Sequence, residues 1–445
     1  MKRSAWRYLW KSEDIRKKLL ITVGLLILYR LAANIPVPGI NREVLGALST
    51  QGGAASNLFN LLDLLSGGTV SNFSILAMGV YPYITAQIII QLLVPIIPAL
   101  ERRLKDNPRE GQKWMEKWTI IGTIPMAALS AVGQINIFTQ LTGGTPILNN
   151  YGFTGPNLVP TLATLLSMIA GTMFGIWLGQ LISEYGIPNQ GLSLIIFAGI
   201  VSGIPSNIGS LLSDQQNGWW LVLLIGAILV LTIFAIVFVQ QGRRNVPVLF
   251  PGRRVGNRMS MPVRSSLPLM VNMAGMIPLI FAQSILTFPA IVASYFMDPS
   301  STGGFARSVY NFFGAENGWY SLMYFLMVVL FTFFYTDVLF TQQNYGENLK
   351  KQGAQIPGVV RGSPTQRYLT KVQRRITLPG ALFLGLVAVL PYVLGAFLPV
   401  GARQAGIFLV SAAGLLIVVG VVRDTFTIIE TELKLHGYDD NLIRG

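Results

Sequence analysis

Ten apolar runs, each long enough to cross a bilayer, constrain this chain more than any other feature of its sequence. They lie near 19–35, 74–98, 118–140, 158–183, 191–211, 218–240, 267–290, 319–341, 375–398 and 404–427. Inside hydrocarbon every backbone N–H and C=O must be satisfied within the protein, so runs of this length are expected to be helices. The expectation is an all-α polytopic membrane protein with ten transmembrane helices. Composition agrees: 52% of the 445 residues are hydrophobic and 12% are charged, about half the charged share of an ordinary soluble chain.

Charge placement gives the orientation. With ten spans both ends lie on one side, and the connecting loops alternate sharply in Lys and Arg. The N-terminal stretch holds seven, the loop at 99–117 six, that at 241–264 six, that at 342–375 seven and the tail three. Loops of the opposite set carry only Arg42, Arg307 and Arg403, while Arg30 lies within the first span. Positive residues stay on the cytoplasmic side, so both termini are expected there. The first eighteen residues are basic and no small-residue cleavage site follows the first apolar run, so no cleavable signal peptide is expected.

Two of the basic loops are longer than a helix connection requires: 241–264 and 342–375 hold thirteen Lys and Arg between them. As topology determinants they would simply touch anionic lipid. As docking loops they would meet a partner with an acidic or polyanionic surface, such as ribosomal RNA. Their length favours docking, since a topology signal needs only a few charges near the spans.

The spans lack the groups that reaction chemistry needs. There is no cysteine, and the single histidine, His436, sits in a polar tail as an expected solvated side chain. Asp337, Asp424 and Glu184 fall near span ends, and no paired-carboxylate, zinc, phosphate-loop or serine-nucleophile motif occurs in or beside the membrane. An enzyme is not expected, nor is a metal or other cofactor. What the spans do carry is Gly171, Gly175 and Gly179, repeated every four residues as a face for close helix packing. Neutral polar side chains stand out as well: Thr85, Gln87 and Gln91 in the second span, and Asn272, Gln283 and Ser284 in the seventh. Each is costly against lipid tails, so each should face another helix or a wet seam.

Five spans precede the middle of the chain and five follow, beginning on opposite sides. That is the parity of an inverted repeat, with halves at 1–212 and 213–445. One short stretch fits no span. In "NLFNLLDLLSGGTVSN" Leu58, Leu61, Leu62 and Leu65 form a helical apolar face that ends at Gly67 and Gly68. The nine residues from Leu58 to Ser66 give a rod of about 13 Å, under half a bilayer core. Periodicity alone reads it as an interfacial amphipathic helix.

Several stretches together resemble the bacterial SecY family: "YRLAANIPVPGI" (29–40), "LLSGGTVSNFSILAMGVYPYITAQIIIQLL" (64–93), "GTMFGIWLGQLISEYGIPNQGLSLIIFAGIVSGIP" (171–205), "LPLMVNMAGMIPLIFAQSI" (267–285) and "PGALFLGLVAVLPY" (379–392). The resemblance implies a protein-conducting channel of two five-helix halves around a pore, with lateral release between spans two and seven. It implies that 57–69 is a plug, and that Val80, Ile84, Ile196, Ile280 and Ile417 form an aliphatic pore ring. Thr85, Gln87 and Gln91 would then face Asn272, Gln283 and Ser284 across the lateral gate. Branched alkyl groups can close around a moving chain of any sequence without hydrogen-bonding to it. The implied partners are SecE, a SecG-like subunit, the SecA motor or a translating ribosome, membrane lipid, and nascent polypeptides bearing signal sequences. Arg244, Arg253 and Arg254 fall at basic positions of the docking loop between spans six and seven. Two departures stand out. "PGVVRGSPTQRY" occupies the place of the family's "PGIRPG", putting Val360 at the family arginine and Arg361 one place later, and "RSSLPLM" replaces "STHLPLK" before span seven. A secondary transporter built on the same parity is the alternative, distinguished by a paired midplane ion site; a scaffold or insertase without a through-pore is a third.

Overall fold

Proline and glycine, rather than hydropathy, decide where the apolar runs become helix. The structure, a computed structural model, describes residues 13–41, 73–141, 147–148, 151–152, 155–212, 218–251, 254–255, 258–259, 263–295, 304–313, 318–397 and 412–435. Its helices are α1 (Glu13–Ala32), α2 (Tyr81–Ile96), α3 (Pro98–Asp106), α4 (Pro108–Leu141), α5 (Leu158–Tyr185), α6 (Gly191–Leu212) and α7 (Gly218–Gln241). Beyond a hairpin come α8 (Ile277–Tyr295), α9 (Phe305–Phe313), α10 (Gly318–Gln342), α11 (Tyr345–Lys351), α12 (Ser363–Phe397) and α13 (Ala412–Leu435). Among the described residues five stretches are long and apolar enough to cross a membrane: Glu110–Asn136, Gly155–Tyr185, Leu223–Gln241, Trp319–Lys351 and Ser363–Val393. Tyr81–Val94, Gly191–Ser202 and Ile277–Leu286 are shorter apolar helices beside them. The fold is all-α and polytopic, as the hydropathy pattern requires.

The run at 74–98 does not begin as helix. Residues 73–80 form a tucked turn in which the Val37 amide donates to the Phe73 carbonyl at 3.1 Å and the Ile75 amide to the Ile35 carbonyl at 3.0 Å. Gly79 takes φ +52°, and Pro82 sits in the first turn of α2, where its missing N–H costs nothing. The turn fits because Gly171 of α5 has no side chain: a Cβ there would collide with the Ile75 carbonyl. Gly175 packs against Leu76 and Tyr29, and Gly179 against Leu192, so the glycine face works as the close-packing surface its spacing indicated.

The run at 267–290 also divides. Its first residues belong to a hairpin of β1 (Arg243–Phe250) and β4 (Val263–Met270), antiparallel, with Arg243 opposite Met270 and Phe250 opposite Val263. Two-residue strands β2 (Arg254–Val255) and β3 (Arg258–Met259) pair nearer the tip. Thus the described residues of 241–264 pair as a ribbon rather than forming a plain loop, and α8 starts ten residues later than hydropathy placed span seven. Leu249 and Gln355 exchange two backbone hydrogen bonds, of 2.8 and 2.9 Å, which attaches the 342–375 loop to the hairpin's edge. Val246, Val248 and Leu269 from the hairpin share one apolar core with Phe340, Leu349, Ile356 and Leu369. The two basic loops are therefore one small body. Helices on this basic side outrun the hydrocarbon: α4 begins at 108 instead of 118, α12 at 363 instead of 375, and α13 runs to 435 instead of 427. Charged residues end a hydrophobic run but not a helix once water can solvate them. At α12, Gly362 (φ +97°) followed by Pro364 sets the start.

Up to residue 212 the main packing pairs are α2 with α4, α4 with α5, α5 with α6, and α1 with both α5 and α6; beyond it α8 packs on α10, α10 on α12, and α7 and α12 on α13. Contacts between these sets run from α8 to α4 and α2, and from α6 to α7 and α13. Gly171→Ala should lower the thermal unfolding midpoint by several degrees, because a backbone carbonyl cannot yield as a side chain can, at about 1–3 kcal/mol for overpacking. Gly226→Ala, with no atom within 4 Å of where its methyl would stand, should leave the midpoint unchanged or slightly raised.

Candidate functional site

The tucked turn places the start of α2 against α8, and a seam forms between them. Ile88, Ala274, Ile280, Phe281 and Tyr335 are buried together, with Ile84, Leu92, Ile277 and Phe331 packed on them. Phe281 stacks on Phe331 of α10 with ring centres 5.5 Å apart, and lies 6.0 Å from the ring of Tyr335. Polar contacts flank the seam at both ends. Near the start of α2 the Tyr81 phenol lies beside the Ser284 side chain of α8. Ten residues along, about 15 Å at helical rise, Gln91 Oε1 accepts a 3.2 Å hydrogen bond from the hydroxyl of Tyr335, which stands on α10 where that helix packs on α8. Between them the contact is apolar.

The five aliphatic side chains singled out as a ring converge here from separate elements. Val80 precedes α2, and Ile84, Ile196, Ile280 and Ile417 come from α2, α6, α8 and α13. Val80, Ile196 and Ile417 share one buried cluster, Ile280 sits in the seam cluster, and Ile84 together with Met276 packs against both. Four of the five are at most 6% exposed and Ile84 is half-buried. Branched alkyl groups from four helices and a turn thus meet at the junction between the two packing sets. These five side chains carry only alkyl groups, so their contact is wholly apolar.

The neutral polar side chains divide differently from the sequence expectation. Gln91 accepts the Tyr335 hydroxyl, while Ser284 donates to the Ile280 carbonyl of its own helix at 2.7 Å. Thr85 donates to the Tyr81 carbonyl of its own helix at 3.0 Å, Gln87 is half-buried, and Gln283 is buried. Asn272 is not within a span: it lies in the turn before α8, where its Oδ1 accepts the Gly275 amide at 2.9 Å and its Nδ2 donates to the Gly275 carbonyl at 3.1 Å. That corrects its placement, since strand β4 uses up the residues that hydropathy gave to the helix. Tyr81, Phe281, Phe331 and Tyr335 do not stand out in the sequence. Their only signal is an aromatic side chain, hydroxyl-bearing at Tyr81 and Tyr335, inside an apolar run, which is ordinary in a membrane protein.

Arg244 is exposed on β1, opposite Leu269. Arg254 lies on β2, while Arg253 is outside the described residues. Val360 is 73% exposed and Arg361 is exposed beside it, in the turn that leads into α12. The stretch 57–69, with Leu58, Leu61, Leu62, Leu65, Gly67 and Gly68, also lies outside the described residues. Two of the three acidic groups near span ends are paired: Arg374 forms a two-pronged contact with Asp337, the shorter arm 2.8 Å, and Arg423 holds Asp424 at 2.8 Å.

A polytopic helical fold whose two packing sets meet at an aliphatic junction defines a membrane protein of helical-bundle class. A family model described as SecY matches residues 74–426. The chain is 35% identical to the protein translocase subunit SecY of Streptomyces scabiei over 441 residues, covering 98% of this chain and 99% of that one. To the protein of the same description from Escherichia coli K12 it is 36% identical over 433 residues, covering 96% and 94%. Among solved structures it is similar to one described as the structure of a protein conducting channel, with TM-score 0.63, 17% identity and coverage of 99% and 100%. The chain belongs to the SecY family. Its membership makes it a multi-pass, non-enzymatic channel subunit of a protein translocase.

Tyr335→Phe would keep the ring stack and remove the bond to Gln91. One buried hydrogen bond, at about 0.5–1.5 kcal/mol, corresponds to a two- to tenfold change in the ratio of parted to closed seams. Because the chain has no cysteine, spin labels at Leu93→Cys of α2 and Ile285→Cys of α8 would report that ratio directly. The long-distance population should grow by that factor.

Proposed function

We propose that the aliphatic junction is the constriction through which a polypeptide crosses the membrane, and that the α2–α8 seam is the lateral gate. The convergence of Val80, Ile84, Ile196, Ile280 and Ile417 is the observation that carries this reading. A ring of this kind seals by contact and yields without chemistry, so chain identity does not matter to it. The seam supports lateral exit because its middle is apolar and its polar ties are few: a hydrophobic segment entering there replaces one apolar surface with another. The free energy for movement comes from outside the chain.

In this reading the halves at 1–212 and 213–445 separate at the junction, and 57–69 is the plug that seals its outer face. The chain works in the bacterial plasma membrane with both termini in the cytoplasm, in keeping with the 29-to-3 division of basic residues between the two sets of loops. Its proposed companions are SecE and a SecG-like subunit, with SecA or a translating ribosome docking on the body built by the hairpin and the 342–375 loop. That the two basic loops share a core supports a common docking face. Exposure of both residues on one turn supports Arg361 serving where Val360 stands at the family arginine.

A photoreactive residue at position 84, with a secretory chain stalled during export, should give an adduct, whereas one at Val230, 66% exposed on α7, should not. Absence of the position-84 adduct while export proceeds would overturn the pore assignment. At the docking face, Arg361→Ala should weaken motor or ribosome binding about fivefold or more, as loss of an interface anchor does. Val360→Ala should change it little; the reverse order would assign the contact to Val360.

A further inference from the structure

Apart from the junction, a groove of about 560 Å³ runs along α12, and its walls include Arg367, Lys371, Arg374, Arg375 and Leu378. Counting 100° per residue, Arg367, Lys371, Arg374, Arg375, Leu378, Leu382 and Leu386 fall within an arc of about 120° on the helix. The same face is therefore basic at one end and leucine-rich at the other. The leucines are not covered: Leu378, Leu382 and Leu386 are 53%, 42% and 64% exposed. At 1.5 Å per residue, about twenty residues of α12 span a 30 Å hydrocarbon core. Arg375 is the last charged residue of α12 before the uncharged stretch 376–397, so the boundary falls just past it, near Leu378. Arg374 and Arg375 then lie at headgroup depth, with Lys371 and Arg367 above them. Arg374 is held in place by Asp337 of α10. Arg367, Lys371 and Arg375 are exposed and make no ion pair among the described residues.

We propose that this face binds an anionic phospholipid, its phosphate held by Lys371, Arg375 and Arg367 and an acyl chain lying along Leu378, Leu382 and Leu386. A cation groove alone would suit any polyanion. Its continuation into exposed leucines at hydrocarbon depth selects an amphiphile whose charge and tail have that order. Positive charge just outside a span attracts anionic headgroups, and a helix-built groove gives the attraction a fixed place. The site stands on α12 and its neighbours, so it holds whether or not the aliphatic junction conducts.

The test uses the full chain with its companion subunits in nanodiscs of phosphatidylcholine and phosphatidylglycerol, with a headgroup-photoreactive phosphatidylglycerol mapped by mass spectrometry. Label should appear on peptides spanning 366–378. Arg367→Gln with Lys371→Gln and Arg375→Gln should lower it by about fivefold for each charge removed, with labelling at the N-terminal basic stretch unchanged. Leu378→Ser with Leu382→Ser should lower it as well, which a site for the headgroup alone would not show. On the unaltered chain, excess inorganic phosphate should not displace the label. Displacement by phosphate, equal labelling from a photoreactive phosphatidylcholine, or undiminished labelling of the charge variant would each overturn the proposal. So would protection of 366–378 by ribosomes with no lipid label there, which would assign the groove to RNA.

Discussion

Everything at the junction depends on one close approach, the Ile75 carbonyl lying where Gly171 has no side chain. Between helices in lipid there is little hydrophobic gain, because acyl chains are as apolar as leucine; association comes from van der Waals fit and internal hydrogen bonds. Gly171 permits that fit. It lets the 73–80 turn sink between α1 and α5, where strand-like bonds to Ile35 and Val37 satisfy its backbone. Helix α2 then begins partway through the run instead of at its end, and Val80 and Ile84 arrive in the shared cluster with Ile196 and Ile417.

The seam between α2 and α8 is built for modest strength. Its apolar middle gains little over lipid contact, and the hydrogen bond beside it, Tyr335 to Gln91, reaches α2 from α10. By contrast, the α8, α10 and α12 cluster is broad, with Leu279, Val328, Leu384 and Leu416 fully or almost fully buried. The molecule thus concentrates its packing within each group of helices and leaves a thinner contact where they meet.

The sequence showed the architecture but not its joints. Hydropathy located the long apolar helices among the described residues, and four-residue glycine spacing correctly marked a packing face. It misplaced the starts of α2 and α8, because Leu267, Leu269 and Met270 count as apolar whether they stand in a strand or a span; only Gly275, Pro278 and the alternation in β4 separate the two. Asn272 falls in the turn before α8 rather than in a span for the same reason. The ring side chains were legible through the family resemblance alone, since an isoleucine that seals and one that packs look alike in a sequence. Tyr335 was not legible at all. Its role arises from a contact with Gln91, 244 residues away along the chain, that no local pattern encodes.

The short link between hairpin and helix has a mechanical consequence. Strand β4 ends at Met270 and α8 begins at Ile277, and the six residues between are braced by the Asn272–Gly275 pair, by the Val271 amide bonded to the Gly242 carbonyl, and by Gln373 donating to the Met270 carbonyl. Such a link has little slack to absorb a displacement. A pull on the ribbon of β1 and β4 is delivered to the base of α8 as torque, and because Leu249 is tied to Gln355, a push on the neighbouring loop loads the same lever.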